Sequence, residues 1–100
     1  MGRSARKKTG IDILLEQEGF RRTGEETTWT LGVPHAYERE AFNGTPPTHI
    51  AIEKRQGWYE ITAYPLPYDS KKRFFSRADD LAEVEETIKK YLRKKVTRLK

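Results

Sequence analysis

The feature that most limits what this chain can become is a pair of alternating runs, Thr48–Glu53 and Trp58–Tyr64. They flank the short link Lys54-Arg55-Gln56-Gly57. Branched and aromatic residues at every second position suit a half-buried strand, because successive side chains leave a strand on opposite faces. The link has hairpin length, and Gly57 is available for the positive φ of a tight return. Setting Ile52 against Tyr59 and Ile50 against Ile61 gathers these four with Ala63 on one face. His49, Ala51, Glu53, Trp58, Glu60, Thr62 and Tyr64 then share the other.

Helical signals bracket this hairpin. Thr9 reads as an N-cap with Asp12 as its capping-box partner, and Ile11, Leu14 and Leu15 fall on one helical face. Gly19 is placed as the left-handed stop, with Phe20 folding back onto Leu15 in a Schellman-type end. Thr27–Val33 reads as a strand, since Trp29, Leu31 and Val33 alternate with Thr28, Thr30 and Gly32. The long stretch 34–47 is open between strand and loop. Ala36–Phe42 has strand character, a long exposed edge near Pro34–Phe42 is a candidate for dimerisation, and Asn43-Gly44 signals a turn. Pro65 and Pro67 are expected to interrupt the ladder at a sheet edge or a crossing. Arg73–Phe75 adds a short last strand. Ser76 opens the final helix with Asp79 in the capping-box position, and Leu81, Val84, Ile88, Tyr91 or Leu92, and Val96 form its inward stripe.

The expected fold is therefore α+β in the order α-β-β-β-α. It is a two-layer sandwich in which an antiparallel sheet of three to four strands carries the N- and C-terminal helices on one face. At 100 residues with 35% apolar content, one core is affordable and two are not. Residues 1–8 read as a disordered basic arm and 9–100 as a single domain ending in a basic helix.

The element order resembles that of double-stranded-RNA-binding domains and of small mRNA-interfering toxins of that fold. Leu14-Leu15-Glu16-Gln17-Glu18-Gly19-Phe20 resembles the first helix and strand entry of such a toxin, over less than a fifth of the chain. The histidine those toxins carry soon after that strand begins is missing, and His35 comes too late. Ser76-Arg77-Ala78-Asp79-Asp80 is acidic where an RNA-binding domain of this kind wants basic residues. No family is assigned on these residues.

Charge is distributed unevenly. Arg3, Arg6, Lys7 and Lys8 stand at one end, and Lys89, Lys90, Arg93, Lys94, Lys95, Arg98 and Lys100 at the other. With a net charge of +5, these eleven cations leave residues 9–88 with a net −6. A polyanion would be met by the two tips. On the last helix, acids at the start and bases at the end complement the macrodipole, and Glu85–Lys89 and Glu86–Lys90 are favourable i, i+4 pairs. Dipole pairing accounts for the first lysines but not for the run continuing to Lys100. Abundant charge with only Asn43, Gln17, Gln56 and Met1 among Asn, Gln and Met is also the composition of heat-adapted proteins, which points to a thermophilic source.

These features point first to a small non-enzymatic binding domain that engages nucleic acid or a nucleoprotein. Its contacts would be Arg3, Arg6, Lys7, Lys8, Lys89, Lys90, Arg93, Lys94 and Arg98, without strong sequence preference. The alternative is a protein-interaction module, an adaptor or inhibitor, using the open sheet face at His49, Trp58, Glu60 and Tyr64. A cover from Pro65-Leu66-Pro67 or the 34–47 segment would remove that face. The third reading is an RNA-cleaving, toxin-like enzyme using His35 or His49, with Glu38 and Glu40 near the first. Two histidines and no cysteine make a poor metal site, and no cofactor motif is present. No apolar run approaches the roughly 18 residues of a membrane span, so a cytoplasmic protein without a membrane partner is expected.

Overall fold

The computed structural model describes residues 10–24, 28–41 and 44–97, with side chains described as far as 93. Its elements run α1 (Gly10–Gln17), β1 (Arg21–Arg22), β2 (Pro34–Arg39), β3 (Thr48–Arg55), β4 (Trp58–Pro65), a 3-10 turn (Ser70–Lys72), β5 (Phe74–Ala78) and α2 (Leu81–Thr97). The strands form one antiparallel meander in the order β1-β2-β3-β4-β5. The fold is thus α+β, with five strands where three or four are expected from the sequence.

The first helix ends as its sequence requires. Gly19 sits at φ +91°, its N–H donates to the Glu16 carbonyl at 3.0 Å, and the Phe20 N–H donates to the Leu15 carbonyl at 2.9 Å. That pair of bonds is the Schellman geometry, which needs a residue free of a Cβ penalty at the left-handed position. At the start of α1 the expected N-cap, Thr9, lies outside the described residues, and Asp12 is buried.

The β3–β4 hairpin turns through Gln56-Gly57 alone, with Gly57 at φ +84°, and pairs Ile52 with Ile61 and Ile50 with Ala63. The expected register is off by two residues, because the link is two residues shorter than its sequence suggests. The slip is even, so every side chain keeps its face. Ile50, Ile52, Ile61 and Ala63 are all buried, as that facing demands.

Three other expectations are corrected. Residues 28–33 make a turn and not a strand: Gly32 is at φ +78°, the Val33 N–H returns to the Thr30 carbonyl at 3.0 Å, and Leu31 is exposed. A left-handed residue in mid-run breaks the alternation that a strand needs. The strand begins instead at Pro34, and β2 lies between β3 and the two-residue β1, which pairs with Tyr37 and Glu38. Pro65 ends an interior strand and marks neither edge nor crossing. The last helix starts at Leu81, because Ser76 pairs with Ile61 in β5. Its cap is a reciprocal pair, with the Glu83 N–H donating to the Asp80 carboxylate at 2.9 Å and the Asp79 N–H to the Glu83 carboxylate at 2.8 Å.

One core joins Ile11, Leu15 and Phe20 to Tyr37, Ile50, Ile52, Ile61, Ala63 and Ala78, and to Val84, Ile88 and Leu92 of α2. Leu81 and Tyr91 pack against its margin, so the inward stripe of α2 is the expected one as far as Leu92, and the side chain of Val96 lies outside those described. Helix α2 lies over β5 and β4, and α1 sits against α2 and β1. The Glu85 carboxylate of α2 lies against Gly10 of α1. No helix among the described residues is long and apolar enough to cross a membrane.

Candidate functional site

The alternation that buries one face of the sheet lines up the other. The ladders place Pro34, Glu53, Glu60 and Arg77 in one row across it, Ala36, Ala51, Thr62 and Phe75 in the next, and Arg21, Glu38, His49 and Tyr64 in a third. Arg55 and Trp58 extend the first end. Residues 34–39 of the 34–47 segment are β2 itself and form part of the sheet. After the Pro65–Pro67 turn, Tyr68 stands at the border of this face, edge-on to Tyr64 with ring centroids 4.9 Å apart.

The two ends of this open face differ chemically. At the hairpin end the carboxylates are paired: the Arg55 guanidinium reaches Glu53 at 3.1 Å and Glu60 at 3.0 Å. Arg77 lies over the Trp58 ring at 3.9 Å. At the other end the His49 and Tyr64 rings stack at 4.9 Å, and His49 Nδ1 meets the Glu38 carboxylate at 3.1 Å. Phe75 and Tyr68 stand half in solvent, at 50% and 54% exposure. Same-face neighbours are about 7 Å apart along a strand, so the Glu53–Glu60 row is about 13 Å from the His49–Tyr64 row. Beside Tyr68 and Phe75, the 3-10 turn is capped by Asp69, which accepts from the Lys71 N–H at 3.0 Å. The turn presents Lys71, Lys72 and Arg73 as three consecutive exposed cations.

The catalytic candidates separate. His35 lies on the core face, 1% exposed, and holds a structural place. Its Nε2–H donates to the Thr28 carbonyl at 2.9 Å, its Nδ1 accepts from Arg22 at 3.1 Å, and Trp29 stacks on it at 3.8 Å. Arg22 also reaches the buried Asp12 at 3.5 Å, which accepts from the Tyr37 hydroxyl at 2.6 Å. Burial, then the hydrogen bond and charge of Asp12, raise the Tyr37 phenol far above its ordinary range. His35 is therefore not a partner of Glu38, which points to the open side and pairs with His49.

A second buried cation, Arg39, donates to the Glu18 carbonyl at the end of α1 at 2.8 Å and lies 4.5 Å from the Phe20 ring centroid. Burial lowers its affinity for its proton. Burial raises the neighbouring Tyr91 phenol, which the Arg39 charge partly offsets.

Among the expected nucleic-acid contacts, Arg3, Arg6, Lys7, Lys8 and Arg98 lie outside the described residues, as does the side chain of Lys94. Lys90 and Arg93 are exposed on α2 and Lys89 is half-buried. Lys89 pairs with Glu86 at 3.7 Å, at i, i+3 and so one residue nearer than the expected i, i+4 partner. Glu85 is turned toward Gly10 of α1 instead. Leu14, Glu18, Lys89, Leu92 and Arg93 line a shallow cleft between the helices.

His49, Trp58, Glu60 and Tyr64 do share the open face, but they divide between its two ends. Sequence reasoning missed Tyr68, Arg73, Phe75 and Arg77 as neighbours of this face. The alternation Arg73, Phe75, Arg77 was the available signal. Comparison with protein-family models, with curated proteins and with solved structures finds no match to this chain.

Proposed function

We propose that this protein is a small binding domain for nucleic acid or a nucleoprotein, engaged through its basic ends. The contacts are Arg3, Arg6, Lys7, Lys8, Lys89, Lys90, Arg93, Lys94 and Arg98. One observation carries the reading: three carboxylates of the acidic body are paired with arginines of that body. Asp12 has Arg22, and Glu53 and Glu60 share Arg55. Terminal cations are therefore not required to neutralise these carboxylates, which supports their being available to a polyanion.

The test is fluorescence anisotropy with labelled DNA and RNA across a salt series. Log affinity should fall linearly with log salt, by about 0.9 per duplex phosphate contacted. Reversing Lys89, Lys90 and Arg93 to glutamate should flatten that slope by about 2 to 3 and weaken binding to every sequence alike. Absence of binding at low salt overturns the reading.

A protein-interaction module is the second reading, and the open face favours it. It predicts that Trp58→Ala weakens capture of a partner protein while charge reversal on α2 leaves capture intact.

A further inference from the structure

The open face adds something the basic ends lack, a cluster of aromatic rings beside cations and away from the paired carboxylates. We infer that the corner of the sheet formed by Tyr64, Tyr68, Phe75, Arg73, Lys71 and Lys72 is a stacking site for single-stranded nucleic acid. This rests on the nucleic-acid reading and deepens it, since it names the strand state and the surface.

The argument starts from ring exposure. Tyr64 is fixed from both sides, stacked on His49 at 4.9 Å and met edge-on by Tyr68. It makes a rigid floor. Phe75 and Tyr68 each leave about half of their surface in water. Large half-exposed rings held on a strand and beside a tight turn offer π-faces that every base can use.

Charge selects the occupant. Lys71 and Lys72 are exposed and have no carboxylate partner among the described residues. Arg73 is exposed, with its guanidinium 6.0 Å from the Phe75 ring centroid. In the ladder the last β4–β5 pair is Ala63 with Phe74. Arg73 therefore occupies the next position, level with Tyr64 on the open face. A backbone phosphate beside the 3-10 turn would meet these three cations while the attached bases lie on Phe75 and Tyr68. Glu53 and Glu60, which would repel phosphates, are both held by Arg55 at the far end of the face. The nearer acids are Glu38, engaged by His49, and Asp69, whose carboxylate caps the turn. In a duplex the bases are stacked on one another and their faces are closed to Phe75 and Tyr68, so the site requires an unpaired strand.

The experiment uses the full chain and three labelled probes of about a dozen nucleotides, the length that one such platform tracks. They are an oligouridylate, an oligothymidylate and a duplex. The two single strands should bind more tightly than the duplex, and any difference between them reports the ribose hydroxyl and the thymine methyl together. Phe75→Ala and Tyr68→Ala should each lower single-strand affinity about tenfold, as loss of one stacked base does. Arg73→Glu should lower it further and reduce the salt slope. Phe75→Trp should retain affinity, and its added indole fluorescence should be quenched by the oligonucleotide. That variant keeps the test decisive if an alanine variant folds poorly. Unchanged single-strand affinity in all the Phe75, Tyr68 and Arg73 variants, with the duplex still bound, overturns this site and leaves the basic ends intact. Failure of every probe to bind at low salt overturns both.

Discussion

The two faces of the sheet solve the same electrostatic problem in opposite settings. On the core face, Asp12, Arg22, Tyr37 and His35 form one chain of contacts beneath the helices, with Asp12 at 3% and His35 at 1% exposure. On the open face, Glu38 and His49, and Arg55 with Glu53 and Glu60, form pairs of similar length in partial contact with water. The contacts look alike, but their worth does not. A buried charge that loses its partner keeps its desolvation cost, whereas an exposed one regains water. Ion pairs therefore fix the geometry of the core face and merely balance charge on the open one. The open face is left adjustable, which suits a binding surface.

This contrast can be broken first at Asp12. Asp12→Ala strands the Arg22 guanidinium and the Tyr37 hydroxyl in the core and should cost about 3 to 5 kcal/mol. Urea unfolding followed by circular dichroism measures it, and a loss below 1 kcal/mol would collapse the distinction between the faces. Ile52→Ala, wholly buried in the central strand, should cost about 2 to 5 kcal/mol through lost burial and the cavity left behind.

Alkaline pH sharpens the comparison. Tyr37 and Tyr91 both hold their phenolic protons more tightly in the fold than in the unfolded chain, chiefly because burial disfavours the phenolate. Above about pH 10 the unfolded state releases these protons while the folded state keeps them, so stability falls as pH rises. Below that pH the contribution is fully present. Tyr37→Phe should reduce this alkaline slope in urea midpoints measured at stepped pH. At neutral pH it should cost about 1 to 2 kcal/mol for the lost bond to Asp12.

The smallest effect belongs to the open face. Glu38→Gln should change stability by less than about 1 kcal/mol. Trp58→Ala should leave the fold intact, because its ring is half-buried and its cation–π contact with Arg77 is worth about 0.5 to 1 kcal/mol near solvent. Unfolding of that variant would place Trp58 with the core residues and remove it from the binding surface.

Much of this was legible in the chain. The Gly19 stop, the inward stripe of α2 and the two faces of the β3–β4 hairpin all follow from local spacing. The two-residue register error did no damage to the facing, because side-chain direction repeats every second residue. Residues 28–33 misled for the converse reason. Their alternation is real, but Gly32 takes a left-handed conformation that turns the chain toward Lys54, whose carbonyl accepts the Gly32 N–H at 2.9 Å. The pattern of Trp29, Leu31 and Val33 does not reveal that choice. At the candidate site, His49 and Tyr64 could be placed on one face from sequence. Phe75 and Tyr68 could not be joined to them without knowing that β5 lies beside β4.

What the sequence determined by itself is whatever depends on neighbours a few positions away: helix stops, strand faces, the placing of cations at both ends. Only tertiary structure decided that Asp12 is a buried acceptor of the Tyr37 hydroxyl, that His35 belongs to the core, and that Glu53 and Glu60 share one arginine far from the aromatic corner. Each of those outcomes brings together residues from different strands or from a strand and a helix. Charge pairing depends on distance and burial, and neither is fixed until the sheet has assembled.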